Sequence, residues 1–307
     1  MKLFSYYKYF DKINLLTIIF TTSMIRSCLS IMASHTKCRT GTYPRTTINR
    51  FLVPDDKVNW STEYKDYEPP YYTSPATYGK PWADPDIGSP NFNPKWNNLD
   101  GNISRQSYMG EYQIVTGYPL NPIGRTGIRG RGILGRWGPN HAADPVVTRW
   151  KKNSSGELEY DMHKKKILQF VAIKRQDTGE WALPGGMVDP GEKVTTTAVR
   201  EFEEEAMNSL VASEEEKQQW KTKFKDFFSK GIPIYQGYVD DPRNTDNSWM
   251  ETVAYNFHDD DGSIVGGFKL QAGDDAVGVR WVDIKPDLRL YASHTNIVEE
   301  VLKKHMA

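Results

Sequence analysis

From Thr148 onward the apolar positions follow two periods. Residues 166–174 (KILQFVAIK) are apolar nearly throughout, which predicts a strand buried on both faces. Residues 234–239, 249–257 and 277–284, rich in β-branched and aromatic side chains, predict three more strands. Helices are predicted from Val194 to Leu210, Glu214 to Ser229 and Asn296 to His305. In the first of these Val194, Ala198, Phe202 and Ala206 recur every four residues and form a face that can pack on a sheet. No internal repeat is apparent, and the pattern is that of an α/β or α+β domain.

That rhythm is missing between Pro44 and Pro145, where 13 of the 18 prolines lie among Tyr67, Tyr71, Tyr72, Tyr78, Trp82, Trp96 and Trp137. Long regular helices are excluded there, and a small β-rich domain or cap draped over a core is expected. A peptide-binding polyproline surface is the lesser option, because no repeated PxxP tract occurs. The first 39 residues carry six basic residues against the single acid Asp11, with an apolar run, Leu15 to Phe20, far short of a membrane span. An acid-poor, hydroxyl-rich leader of this kind favours a mitochondrial presequence over a secretory signal or a disordered tail. Initiation at Met24 or Met32 would remove much of the address and leave the protein cytoplasmic. The expected organisation is a leader at 1–33, an N-terminal domain at 34–123 and the chemistry-bearing domain at 124–307.

Composition narrows the function classes. A chain of 307 residues with mean hydropathy -0.63 and 25% charged residues is neither a multi-span membrane protein nor disordered. Lys+Arg and Asp+Glu both number 39, so no global field gathers nucleic acid or an anionic membrane, and neither is expected as a partner. The run His163 to Lys166 reads as a solvated turn. Cys28 and Cys38 are too few for a disulfide framework or a zinc ribbon. A monomer is the expected state.

The chemistry concentrates at 181–192 (WALPGGMVDPGE), followed by Arg200-Glu201-Phe202-Glu203-Glu204-Glu205. On a helix Glu201, Glu204 and Glu205 converge on one face, while Glu203 points away. These acids sit in the C-terminal half of the helix, where the macrodipole disfavours anions, and they repel one another. A hard divalent cation offsets that cost, Mg²⁺ with Mn²⁺ as a substitute, and the Gly185 carbonyl in a tight turn can add an oxygen ligand.

Several residues outside this stretch are candidates for ligand contact. The run Gly124 to Gly132, with Arg125, either cradles phosphates or orders an interdomain loop; without the Lys-Ser/Thr ending of a P-loop it does not support ATPase chemistry. His141 and Asp144, separated by Ala-Ala and followed by Pro145, read as a turn with a structural use. In the loop after a strand, Arg243 is a good anion ligand, and Asp241 can accept from ribose hydroxyls or simply pair with it. Tyr291 and His294 precede the last helix, where they either meet adenine or phosphate or serve as a packed ring and a cap.

Gly186, Glu192, Arg200, Glu201, Phe202, Glu204 and Glu205 fill, in register, the signature of the Nudix hydrolases, which the sequence therefore resembles. Met207 and Asn208 depart from it where the family usually has Gly and an aliphatic residue. Segments 124–127, 135–145, 237–247, 272–275 and 290–294 extend the resemblance to the mitochondrial ADP-ribose pyrophosphatase branch and to the ADP-ribose-binding domain of melastatin-type channels. The resemblance covers nearly the whole chain after the leader. It implies a Nudix fold, a mixed β-sheet sandwiched between helices, behind a smaller N-terminal domain, with ADP-ribose in the cleft between them and water as the nucleophile. It also implies that the loop bearing Asp274 and Asp275 can bring an acid to the metal site, so these two compete with Glu204 as the base. The intact acids Glu201, Glu204 and Glu205 favour an enzyme over a nucleotide sensor. Another nucleoside diphosphate derivative is the alternative substrate.

Overall fold

A computed structural model of the chain describes residues 35–207, 213–215, 218, 226–267, 270–272 and 276–306. The expected leader, the pair Asp274 and Asp275, Asn208 and most of the expected helix 214–229 lie outside the described residues. The N-terminal third is built from short pieces, as its prolines dictate. β1 (Tyr71–Thr73) stands alone until later chain reaches it. β2 (Leu99–Asp100) and β3 (Ile103–Ser104) form one small antiparallel pair, and β4 (Ile114–Val115) and β5 (Tyr118–Pro119) form another. The turn of the second uses Thr116 and Gly117, both at positive φ, the twist that a two-residue hairpin needs. β6 (Arg129–Gly132) then pairs in parallel with β1.

The main sheet comprises β7 (Gly138–Trp150), β8 (Leu168–Arg175), the two-residue strands β9 (Trp181–Ala182) and β10 (Gly186–Met187), β11 (Ile232–Tyr238), β12 (Ser248–Asp259) and β13 (Ala276–Asp283). Its order is β11-β12-β7-β8-β13, with β10 on β7 and β9 on β8. Only β12 and β7 run parallel, so the sheet is mixed, as the Nudix resemblance implies. Successive side chains of a strand face opposite sides, and the core divides accordingly. Val146 and Phe170 pack with Ile297, Val298 and Val301 of α2 (His294–Met306), while their neighbours Val147 and Val171 pack with Phe202 and Ala206 of α1 (Val194–Met207). The four-residue recurrence in α1 is thus its buried face. Met207, where the signature usually has glycine, is buried with Phe257 in the same cluster, so its side chain fills core at the helix end. Among the described residues no helix is long and apolar enough to cross a membrane.

One expectation fails outright. The turn expected at His141 to Pro145 is instead the middle of β7, the longest strand, flanked by partners on both sides. Its prolines fit because β10 pairs only with Ala142 and Ala143 and β8 only from Thr148 to Trp150. Pro145 falls in the gap between them, where a missing N–H breaks no ladder on that side.

Buried polar contacts tie the N-terminal third to this sheet. Asp84 accepts two bonds from Arg105 at 2.7 and 3.0 Å, one from Arg136 at 2.9 Å and one from the Trp137 amide at 2.9 Å. Fully buried Glu251 of β12 accepts from the Ser107 hydroxyl, the Tyr108 amide and the Trp249 indole at 2.5 to 2.7 Å. Asp240 accepts from the amides of Thr36, Lys37 and Cys38, anchoring the first described residues beyond the end of β11.

Candidate active site

The turn between β9 and β10 lies across β7, since Gly186 pairs with Ala143 and Met187 with Ala142. Two glycines are needed here for close approach. A Cβ on Gly185 would stand 2.1 Å from Asp144 Oδ1 and 2.9 Å from the Ala143 carbonyl, and a Cβ on Gly186 would stand 2.3 Å from the Glu201 carboxylate. Carboxylates from β7 and α1 therefore press against the bare backbone of one turn.

α1 supplies the acids in the expected register. Glu205 Oε2 accepts the Gly185 amide at 2.9 Å, and Glu201, one turn earlier, is buried beneath Gly186. Arg200 donates to Glu201 at 2.7 Å, to Glu204 at 3.2 Å and twice to Glu192 at 3.1 Å, and Thr197 also donates to Glu192 at 2.7 Å. Burial pushes the Glu201 carboxyl up to about 7, with Arg200 opposing and Glu204 and Glu192 adding to the rise. Burial would also raise Glu192, but the bonds from Arg200 and Thr197 hold it below its ordinary value. One guanidinium thus serves three carboxylates. An oxygen-rich site with surplus negative charge fits a hard divalent cation, for which Glu201, Glu204, Glu205 and the Gly185 carbonyl are the candidate ligands. The contact the turn itself displays is the Gly185 amide steadying Glu205.

The sequence does not single out Asp144 as a ligand, because the Ala-Ala pair and Pro145 read as a turn. It is 5% exposed, it accepts from Thr252 Oγ1 at 2.7 Å through Oδ2, and burial pushes it up to about 6. A lone acid in a buried strand leaves no periodic trace, so only the strand's true extent could have revealed it.

The loop after β11 brings Arg243 and Asp241 together. Arg243 donates to both oxygens of buried Asp241, at 2.8 and 2.7 Å, and Tyr291 Oη adds a contact at 3.3 Å. Burial works to raise the Asp241 carboxyl, but the Arg243 charge and its bonds hold it below its ordinary value. Both oxygens are engaged, so Asp241 orients Arg243 instead of offering a free acceptor to ribose. The Arg243 side chain is 27% exposed and lines a cleft of about 480 Å³, with Trp82, Ile103, Tyr108, His141 and Met187 among the walls. The cleft borders the carboxylate site along 187–192 and is walled by both parts of the chain. Tyr43 and Arg50 hold the Arg243, Pro242 and Asn244 carbonyls, so the N-terminal part also shapes this loop.

Tyr291 and His294 are buried and brace the turn. Tyr291 donates its amide to the Trp181 carbonyl, and His294 Nδ1 accepts the Leu183 amide, both at 2.9 Å. Burial pushes His294 down to about 3, so it is a neutral acceptor. Both side chains are therefore packed inside the structure, and His294 braces Leu183 instead of capping its own helix. Arg125 is also corrected: its guanidinium donates to the carbonyls of Lys57, Asn59 and Thr62 and lies over the rings of Trp60, Tyr64 and Tyr67, ordering an N-terminal loop away from the cleft.

Residues 53–138 match the family model described as the NUDT9-like N-terminal domain, and residues 160–300 match the NUDIX domain. A mitochondrial ADP-ribose pyrophosphatase of Rattus norvegicus is 53% identical over 277 residues, 89% of this chain and 79% of its own. A nudix hydrolase of Caenorhabditis elegans is 50% identical over 88% of this chain and 98% of its own. A transient receptor potential cation channel subfamily M member-like 2 of Nematostella vectensis is 52% identical over 88% of this chain but only 18% of the channel. Among solved structures, a MutT/nudix family protein of Enterococcus faecalis aligns with TM-score 0.37 and 21% identity over 55% of this chain and 62% of its own.

Proposed function

Since the chain belongs to the Nudix hydrolases and carries the NUDT9-like N-terminal domain in front of the Nudix domain, we propose that it hydrolyses ADP-ribose to AMP and ribose 5-phosphate by adding water across the diphosphate. The observation that carries this reading is the meeting of the signature acids with the Gly185–Gly186 turn, in a chain 53% identical to an ADP-ribose pyrophosphatase over most of both lengths. Nudix hydrolases depend on a divalent cation, and we assign Mg²⁺, with Mn²⁺ as a substitute, to Glu201, Glu204, Glu205 and the Gly185 carbonyl. Such a cation neutralises diphosphate charge and makes water a better nucleophile. No cysteine stands near the motif, so water attacks directly.

The chain's own residues do the positioning. Arg200 binds Glu201, Glu204 and Glu192 side by side, and the Gly185 amide fixes Glu205. Arg243, held by Asp241, to which Tyr291 also donates, offers its open edge to a diphosphate oxygen. Glu204 is the base offered by the helix, with Asp274 and Asp275 as its rivals from the loop. The leader 1–33 directs the protein to mitochondria, the compartment in the name of the rat relative, and its fusion to a fluorescent reporter tests this.

A product analysis with Mg²⁺ tests the reading: AMP and ribose 5-phosphate should appear together in equal amounts, and a chelator should stop turnover. The channel relative supports a second reading, a nucleotide sensor, under which ADP-ribose would bind and remain intact.

A further inference from the structure

Among the described residues Asp144 is an acid at this site that the signature does not account for. Its side chain is buried, yet no Lys, Arg or His lies within ion-pair distance of it among the described residues. Its single hydrogen bond there is the one from Thr252 to Oδ2, a small part of what a carboxylate can accept. Oδ1 is turned to Gly185, 2.1 Å from where a Cβ would be. The same glycine donates its amide to Glu205, and the next glycine faces Glu201 in the same close manner. Three carboxylates from a strand and a helix thus converge on two residues that lack side chains.

A buried carboxylate with no ion-pair partner is costly to ionise, and neither one hydroxyl bond nor the field of Arg243, whose bonds go to Asp241, repays that cost. An asparagine would serve Thr252 equally well. The chemistry missing at Oδ1 is a positive charge with a taste for oxygen, which a divalent cation supplies. We propose that Asp144 is a fourth carboxylate of the cation site, presenting Oδ1 from the central strand and so fixing the cation against the sheet as well as the helix. This rests on the metal-dependent hydrolase reading.

Mn²⁺ binding to the full chain, followed by electron paramagnetic resonance of the free ion, tests it without any turnover. Asp144→Asn should weaken Mn²⁺ binding by about tenfold or more, the scale of loss when a metal site forfeits a supporting group. Its thermal stability without added metal should equal or exceed that of the wild type, because a buried charge is gone and the Thr252 bond is kept. Wild-type Mn²⁺ affinity in Asp144→Asn would overturn the proposal, and so would a loss of stability at unchanged affinity, which is what a purely structural Asp144 predicts. Should Asp144→Asn not fold, Asp144→Ser takes its place with the same expectation for Mn²⁺. Failure of the wild type itself to bind Mn²⁺ would instead count against the hydrolase reading.

Discussion

Glu201 and Glu203 are two positions apart on one helix, and a helix turns about 200° over that distance. Glu201→Gln and Glu205→Gln should each lower kcat by roughly two orders of magnitude or more with the fold retained, because an amide is a poor ligand for a hard cation. Glu203→Gln should stay near wild type, and steady-state kinetics with circular dichroism compares the three. Arg243 carries two readings that are compatible in one residue. Pairing with Asp241 and contact with substrate look exclusive in the sequence, but the side chain that pairs with Asp241 also lines the cleft. Arg243→Ala should therefore raise KM for ADP-ribose about 10- to 150-fold, the worth of one charge-assisted bond. It should also cost about 3 to 5 kcal/mol of stability, because Asp241 is left as a buried lone charge. Denaturant melts and kinetics on the same sample separate the effects.

At the scale of elements, legibility followed periodicity. The apolar recurrence of α1 and the unbroken run of β8 identify themselves, and the register of the acids follows from the first. β7 was hidden because Pro139 and Pro145 are strand breakers by type, and only the partner strands reveal that the second falls where no ladder bond is needed. With β7 went Asp144. The head of α2 offers an element-scale test, since His294 joins this helix to the turn that carries Gly185. Its folded pKa is pushed from the ordinary 6.5 down to about 3, so the stability it contributes is full above 6.5 and is lost as pH falls toward 3. Asparagine places an uncharged acceptor in the same region. The stability of the wild type relative to His294→Asn should decline by roughly 1.4 kcal/mol per pH unit below 6.5, measured by chemical denaturation across pH. A difference that does not change with pH would mean that His294 takes up its proton in the folded protein as readily as in the unfolded chain.

Over the whole molecule, composition gave the character of the N-terminal third but none of its attachments. Prolines and aromatics imply short, draped structure; they do not say that Asp84 will meet Arg105 and Arg136, or that Ser107 will meet Glu251, because those partners are far apart in sequence. Asp84→Ala leaves two arginines without their buried partner and should cost about 3 to 5 kcal/mol in a urea melt. A loss below 1 kcal/mol would show that the N-terminal third is held mainly by its other contacts. The joining of the two parts matters for function because both wall the cleft and both hold the Arg243 loop. The measurement that bears most directly on the account is kcat/KM with product identification for ADP-ribose, ATP, ADP-glucose and an oxidised dGTP in Mg²⁺. The account predicts that ADP-ribose is preferred and yields AMP and ribose 5-phosphate; a higher kcat/KM for ATP or the oxidised dGTP, or ADP-ribose bound and left intact, would contradict it.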